Sequence, residues 1–197
     1  MEILGKLFGS EAKVKIIRLF LLGRDTIFDT ATIASRINED TTKTRRELAN
    51  LEKTALIKRK ARKHNGKNVV GFVLNNNFSY LAPLHNLLIN SAPLQPKEII
   101  RKVSSLGTIK LIIVSGVFIQ DSDSRADILI VGDNIKKGQL SNVIRNLEAE
   151  VGKELRYVHF ATADFLYRLN MYDKLIRDIL DYPHVKLVNK LAILDTV

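Results

Sequence analysis

Apolar residues recur at helical spacing in three short segments at the start of the chain. The first segment has Ser10 in the N-cap position and ends at Gly23, and the second begins after Asp29 or Thr30. The third begins at about Thr41. The pattern therefore predicts three helices. Their inward positions are Val14, Ile17 and Leu21, then Ile33, Ala34 and Ile37, then Thr44, Leu48, Leu51 and Ala55.

Two strand-like runs follow these helices and flank Asn65 and Gly66. Both residues tolerate positive φ, so the pair predicts a two-residue hairpin turn. Basic side chains without an intervening acid occupy this hairpin: Lys58, Arg59, Lys60, Arg62, Lys63 and Lys67. Three helices followed by a hairpin, with basic residues on the last helix and the hairpin, are typical of a winged helix-turn-helix.

The rest of the chain alternates predicted helices and apolar strands. NNNFSYLAPLHNLLINSAPLQP predicts a linker with a short helix whose apolar face is Leu84, Leu87 and Leu88. Strands are expected in TIKLIIVSG, RADILIVGD and LRYVHF, and a helix after Thr162 as N-cap. The fold class is therefore α+β. The expected division is 1–75 for the winged helix, 76–96 for the linker and 97–197 for the second domain.

The positive charge of the chain is concentrated in the N-terminal part. Residues 1–74 hold 16 Lys and Arg against 8 Asp and Glu, a net charge of +8, out of +10 for the whole chain. This asymmetry indicates a polyanionic partner for the first domain. The chain has no cysteine, no signal-like start and no apolar run long enough to span a bilayer. A soluble cytoplasmic protein with no membrane partner is expected.

The segment ATIASRINEDTTKTRRELANLEKTALIKRK is similar to the winged-helix domains of ArsR- and MarR-like transcription regulators. The family's ending of the recognition helix is present, except that Ala55 replaces a common glycine. The resemblance implies binding to double-stranded DNA. We expect the recognition helix to contact DNA through Thr42, Lys43, Arg45 and Arg46, and the basic hairpin residues to contact phosphates.

SGVFIQDSDSRADILIVGD resembles the motif of minimal nucleotidyltransferases of the polymerase-beta superfamily, GSxARG followed by SDIDLLVVGD. There, two acids at i and i+2 hold Mg²⁺. In this chain the family glycine is Gly116 and its serine partner is Val117. The first acid is Arg125, so that only Asp127 remains. We expect Arg125 to neutralise Asp127, and the domain to be a vestigial, noncatalytic relative with no metal or cofactor.

The whole order of segments resembles prokaryotic fusions of a regulator with a nucleotidyltransferase domain. The expected function is a DNA-binding transcription regulator, acting as a homodimer, whose second domain is a scaffold or a sensor. Its effector, operator and oligomeric state stay open. Two alternatives remain: a nucleotidyltransferase using Asp127 with Asp121 or Asp123, and an antitoxin-like module that binds another protein.

Overall fold

The computed structural model describes residues 3–64, 67–90, 94–121 and 123–191. The side chains of residues 62–64 and 67–69 lie outside this description. In the described residues, helices and two small sheets form a mixed α+β protein, as the sequence predicts.

Two compact units divide the chain. Unit 1 comprises Met1–Pro93 and Arg145–Lys153, and unit 2 comprises Leu94–Ile144 and Glu154–Val197. The segment 145–153 is thus grouped with unit 1, whereas the sequence placed it in the second domain.

The helices of unit 1 begin where short polar side chains cap them. Ser10 Oγ accepts a hydrogen bond from the backbone N–H of Lys13 at 3.3 Å, and Asp29 accepts one from Thr32 at 2.8 Å. Caps of this kind contribute about 1 kcal/mol each. The predicted starts of the helices that follow Ser10 and Asp29 are therefore confirmed. The helices are α1 Ile3–Leu7, α2 Glu11–Leu22, α3 Thr30–Arg36 and α4 Thr41–Lys53.

The end of α4 corrects one prediction. Thr44, Leu48 and Leu51 are buried as expected, but Ala55 is exposed and lies beyond the helix. Its φ is 60°, in the left-handed region that a side chain disfavours by about 1–2 kcal/mol. Ala55 therefore forms the turn out of the helix and does not belong to the inward stripe.

An antiparallel hairpin of β1 Ile57–His64 and β2 Lys67–Leu74 follows. Its register pairs Ile57 with Leu74 at one end and His64 with Lys67 at the other, which leaves two residues for the turn. The predicted turn residues Asn65 and Gly66 themselves lie outside the described residues. Phe28 exchanges two backbone hydrogen bonds with Phe72 of β2, at 3.0 and 2.8 Å, and so fixes the hairpin to the segment before α3.

The predicted linker segment contributes to the core of unit 1. Helix α5 Leu81–His85 continues into a π-helical turn, Asn86–Asn90, and Leu88 is fully buried among the residues of α2 to α4. Leu84 is partly buried as predicted. Leu87, the third member of the predicted apolar face, is 40% exposed; it lies in the π-helical turn, which is wider than an α-helical one.

A fully buried arginine lies at the centre of unit 1. Arg18 Nε donates to the carbonyl of Leu88 at 3.1 Å, and Arg18 Nη1 donates to the carbonyl of Glu150 at 3.0 Å. Both carbonyls lie in the last turn of a helical segment, the part of a helix whose carbonyl groups lack an intrahelical partner. Arg18 therefore caps two helix C-termini and places positive charge at their negative ends.

Unit 2 contains a four-stranded sheet in the order β5-β4-β3-β6. Strand β4 pairs parallel with β5 and antiparallel with β3, and β3 pairs antiparallel with β6. The two central strands are almost entirely buried, which explains their continuous apolar sequence. The strands are β3 Thr108–Val114, β4 Ile128–Asp133, β5 Tyr157–Phe160 and β6 Val185–Asn189.

The helices of unit 2 follow the predicted apolar periodicity. Phe165, Ile176 and Ile179 pack with β3 and β4 in one apolar cluster. Thr162, predicted to be an N-cap, is instead the first helical residue: its N–H and hydroxyl both donate to Asp133, at 3.0 and 2.7 Å. The helices are α6 Pro96–Ser104, α8 Thr162–Asn170 and α9 Lys174–Asp181, together with α7 Lys137–Val151, whose residues 145–151 are grouped with unit 1. In the described part of the chain, no helix has both the length and the apolar character needed to cross a bilayer.

Candidate functional site

Helix α4 presents a polar and positively charged face to solvent. Asp40 accepts a hydrogen bond from the N–H of Lys43 at 2.8 Å and so fixes where the helix begins. The buried side chains of Thr44 and Leu48 fix which face turns inward. The exposed side chains that result are Thr41, Thr42, Arg45, Arg46, Ala49, Asn50 and Lys53.

The acids of α4 are withdrawn from this face. Glu47 is only 3% exposed and lies 3.8 Å from Lys13 Nζ and 3.7 Å from Arg46 Nη2. Glu52 is partly buried and is bound by Arg59 of the hairpin. Arg45 and Arg46, both predicted DNA contacts, therefore lie on a surface where positive charge dominates. Such a surface attracts a polyanion.

Lys43, also predicted to contact DNA, is held by a neighbouring acid. Its Nζ donates to Glu39 Oε2 at 2.8 Å, and this hydrogen bond raises the pKa of Lys43. Glu39 also accepts from Lys15 at 3.3 Å. Burial works to raise the pKa of Glu39, but its bonds with the two lysines outweigh burial and lower it. Lys43 is thus engaged inside unit 1 by a closer contact than that of Arg46, whose guanidinium lies 3.7 Å from Glu47 and is largely exposed.

Arg59, a predicted phosphate contact, is likewise engaged. Its Nε and Nη2 donate to the two carboxylate oxygens of Glu52, at 2.9 and 3.1 Å. The same guanidinium lies 5.7 Å from the centre of the Phe72 ring, which is paired with Arg59 across the hairpin. The arrangement is a bidentate ion pair placed over an aromatic ring, and it joins α4 to β1.

The two hairpin lysines beside Arg59 lie on the other face of the strand. Side chains alternate along a strand, so Lys58 and Lys60 share one face while Arg59 lies on the opposite one. Both lysines are exposed. The predicted basic surface is therefore divided: Arg45 and Arg59 line one groove of about 370 Å³ together with Val70 and Phe72, whereas Lys58 and Lys60 project from the hairpin's other side. The side chains of Arg62, Lys63 and Lys67 lie outside the described residues.

In unit 2, the glycine turn after β3 and the start of β4 form a closed polar cluster around Asp127. This carboxylate is 2% exposed, on the residue just before β4. Its Oδ1 accepts from the N–H of Val117 at 3.0 Å, and its Oδ2 accepts from the N–H of Arg156 at 2.8 Å. The guanidinium of Arg156 adds two bonds, from Nε at 3.1 Å and from Nη2 at 3.2 Å.

These bonds decide the protonation of Asp127. Burial works to raise its pKa, but the hydrogen bonds from Arg156 and Val117 and the charge of Arg156 outweigh burial, so that the pKa lies below its ordinary value. The bond with Asp127 in turn raises the pKa of Arg156. Both side chains are therefore charged at neutral pH, and the guanidinium of Arg156 neutralises the carboxylate of Asp127.

The glycine turn is shaped by the same carboxylate. Gly116 has a φ of 55°, and a Cβ there would lie 2.1 Å from Asp127 Oδ1, so that only glycine fits. The N–H of Gly116 donates to Ser124 Oγ at 3.0 Å, and the N–H of Phe118 donates to the carbonyl of Ser115 at 3.1 Å. The turn N–H groups that could hold a phosphate are thus already used within the loop.

The structure corrects the predicted partner of Asp127. Arg125 does not neutralise it: Arg125 Nε lies 3.5 Å from Asp178 Oδ2 on α9. The prediction was wrong because it extended strand alternation to Arg125, whereas β4 begins only at Ile128. The actual partner, Arg156, lies 29 residues later, directly before β5. The parallel pairing of β4 with β5 brings the two together.

The residues present do not fit the Mg²⁺ site that the nucleotidyltransferase resemblance implies. Both oxygens of Asp127 are occupied by N–H donors, and Arg125 stands where the family has its other acid. Of the loop acids, Asp121 accepts from Ser124 Oγ at 2.8 Å and from the N–H of Asp123 at 3.0 Å. Among the described residues, no group of three or more His, Asp or Glu side chains is arranged to hold a metal ion.

Glu52 and Arg156 are functional-site residues that the sequence pattern did not identify. Glu52 had a local signal, because it is the acid closest in sequence to the basic residues of the hairpin. Arg156 had none, since nothing local links LRYVHF to the glycine turn. Comparisons of the chain with protein-family models, with curated proteins and with solved structures find no match.

Proposed function

We propose that the chain is a DNA-binding transcription regulator, with unit 1 a winged helix and α4 its recognition helix. The order of three helices and a hairpin, the local excess of positive charge and the resemblance to ArsR- and MarR-like regulators support this proposal. An α-helix fits the major groove of B-DNA, where side chains on its outer face meet base edges and phosphates.

The exposed face of α4 is the observation that carries the proposal. Arg45 and Arg46 stand outward in consecutive positions, with Thr42 one turn before them and the acids of the helix bound or buried. Arginine is the side chain that most often reads guanine, through two hydrogen bonds to its major-groove edge. The exposed Lys58 and Lys60 then serve as phosphate contacts, which position the protein without reading sequence. Two copies reading two half-sites complete the proposal.

For unit 2, the proposal is a nucleotidyltransferase-like domain that serves as a scaffold or a sensor. The internal use of Asp127 and of the turn N–H groups supports a noncatalytic role. The alternative enzyme would need a second acid beside Asp127, and the nearest part of the sequence supplies Arg125 there. Incubation with Mg²⁺ and labelled nucleotides tests this part: transfer that disappears in Asp127→Asn would overturn the noncatalytic role.

The DNA proposal is tested by selecting bound fragments from a random duplex pool and then measuring affinity for the selected duplex. Arg45→Ala and Arg46→Ala should each weaken binding by about 5-fold to 150-fold if they read bases. The matched control is Lys137→Ala, which removes an exposed charge from unit 2. Equal effects of all three substitutions, or no enrichment of any duplex, would contradict the proposal.

A further inference from the structure

One ion pair connects the recognition helix to the hairpin. Glu52 lies in the last turn of α4, and Arg59 is the third residue of β1. The two donors of Arg59 meet the two acceptors of Glu52 at 2.9 and 3.1 Å, a geometry that fixes the direction of both side chains. The pair therefore constrains the angle between α4 and the base of the hairpin.

The ring of Phe72 adds a third point to this connection. The guanidinium of Arg59 lies over it, and the backbone of Phe72 is itself tied to Phe28 by two hydrogen bonds. Arg59 thus links α4, β1 and β2. Only a planar guanidinium can form the fork to a carboxylate and lie over a ring at once, so lysine is not an equivalent residue here.

The charge of Arg59 is already balanced by Glu52, and two of its N–H donors are used. A phosphate would have to compete with a carboxylate that is held in place at hydrogen-bond distance. Lys58 and Lys60, by contrast, are exposed on the other face of the strand. The three basic residues of β1 whose side chains are described therefore differ in their contacts: Arg59 is paired with Glu52, and Lys58 and Lys60 are exposed.

We propose that Arg59 is a positioning residue for DNA binding: through Glu52 and Phe72 it holds the hairpin at the angle from which the neighbouring lysines reach phosphates. This inference rests on the proposed function and assigns to Arg59 a role other than the phosphate contact expected from the sequence. Its loss therefore weakens DNA binding without removing a phosphate contact.

Salt dependence separates the two roles. Log K falls as log salt concentration rises, and the magnitude of this slope, called the slope below, decreases by about 0.9 for each phosphate contact that is lost. The decisive variants are Arg59→Lys, which keeps the charge but not the fork, and the double variant Arg59→Gln with Glu52→Gln, which keeps the net charge and removes the pair. Lys58→Gln is the control for a lost phosphate contact.

With the selected duplex, both decisive variants should bind about 2-fold to 5-fold more weakly at every salt concentration, with the slope of the parent. Lys58→Gln should lower the slope by about 0.9. Parent-like binding of Arg59→Lys, together with a lower slope for the double variant, would show that Arg59 contacts phosphate. Unchanged affinity and slope in both variants would equally overturn the proposal.

Hydrogen exchange of the β1 amides, measured without DNA, distinguishes a failure of this inference from a failure of the proposed function. If Arg59 holds the hairpin, these amides exchange several-fold faster in both decisive variants than in the parent and in Lys58→Gln. Unchanged exchange rates overturn the positioning role, even if the parent binds DNA. If the parent binds no duplex but the β1 amides still exchange faster in the two variants, Arg59 holds the hairpin in place and this role does not serve DNA binding.

Discussion

Replacing Asp127 with alanine removes the carboxylate to which four N–H groups of the described chain donate. Two are the backbone N–H groups of Val117 and Arg156, and two belong to the Arg156 guanidinium. Because Asp127 is 2% exposed, water does not readily replace the lost acceptor. The substitution leaves buried donors unsatisfied and a cation without its counter-charge.

The magnitude follows from these contacts. Breaking a buried ion pair by removing one partner costs about 3–5 kcal/mol. The Arg156 side chain is 50% exposed, so it can turn toward water and recover part of its solvation. We therefore expect the lower end, a loss of about 3 kcal/mol in the free energy of unfolding of unit 2. The control Asp178→Asn breaks the Arg125 pair, whose arginine is 65% exposed, and should cost less than about 1 kcal/mol.

Urea unfolding followed by tyrosine fluorescence measures this difference. The chain has no tryptophan, and four of its five tyrosines, at 157, 167, 172 and 182, lie in unit 2. With a slope of about 1–2 kcal/mol per molar urea, a loss of 3 kcal/mol moves the midpoint by roughly 2 M. A midpoint for Asp127→Ala no lower than that of Asp178→Asn would refute the view that this cluster stabilises unit 2.

Three further outcomes follow from the same structure. The pKa of Asp127 is lowered in the folded state, so the stabilisation by its carboxylate is complete above the unfolded pKa of about 3.9 and is lost as the pH falls through the folded pKa. The difference in urea midpoint between the parent and Asp127→Asn should therefore become smaller from pH 6 to pH 3. A difference that does not change with pH would contradict this. Ala55→Gly should raise the free energy of unfolding by about 0.5–1 kcal/mol because it relieves the positive φ, whereas Ala49→Gly within α4 should lower it by about 1 kcal/mol, both read by thermal denaturation. Arg18→Met should lower the free energy of unfolding of unit 1 by about 2–3 kcal/mol, because the carbonyls of Leu88 and Glu150 lose the donor that Arg18 supplies. The control Arg24→Met, at an exposed arginine, should change it little. Equal melting temperatures of the two variants would exclude the capping role of Arg18.

Features that depend on a few neighbouring residues could be predicted from the sequence. Ser10 and Asp29 accept hydrogen bonds from backbone N–H groups three residues ahead, and the Asn65-Gly66 pair predicted a hairpin, which β1 and β2 form. The apolar strands of unit 2 were also visible, because their burial on both faces makes them continuously hydrophobic. These local features account for the element order of both units.

Contacts between side chains that lie far apart in the sequence could not be predicted. Asp127 finds Arg156 through the parallel pairing of β4 with β5, and no local pattern predicts which strands pair. The sequence instead favoured Arg125, the nearest cation. Arg18 is the same case: an arginine inside an apolar helix gave no indication of the two carbonyls it binds, one of them 132 residues away. Exposure of Lys58 and Lys60 could be predicted, but not that Arg59 is occupied by Glu52.

DNA binding by the exposed face of α4 is the proposal on which the other functional predictions rest. The most direct measurement is the fluorescence anisotropy of a labelled, selected duplex titrated with the parent and with the double variant Arg45→Ala and Arg46→Ala, across a series of salt concentrations. If α4 binds DNA through this face, the affinity of the parent for the duplex falls steeply as the salt concentration rises, and the double variant binds at least about 10-fold more weakly at each concentration. A variant that binds the duplex as tightly as the parent, with the same salt dependence, would contradict it.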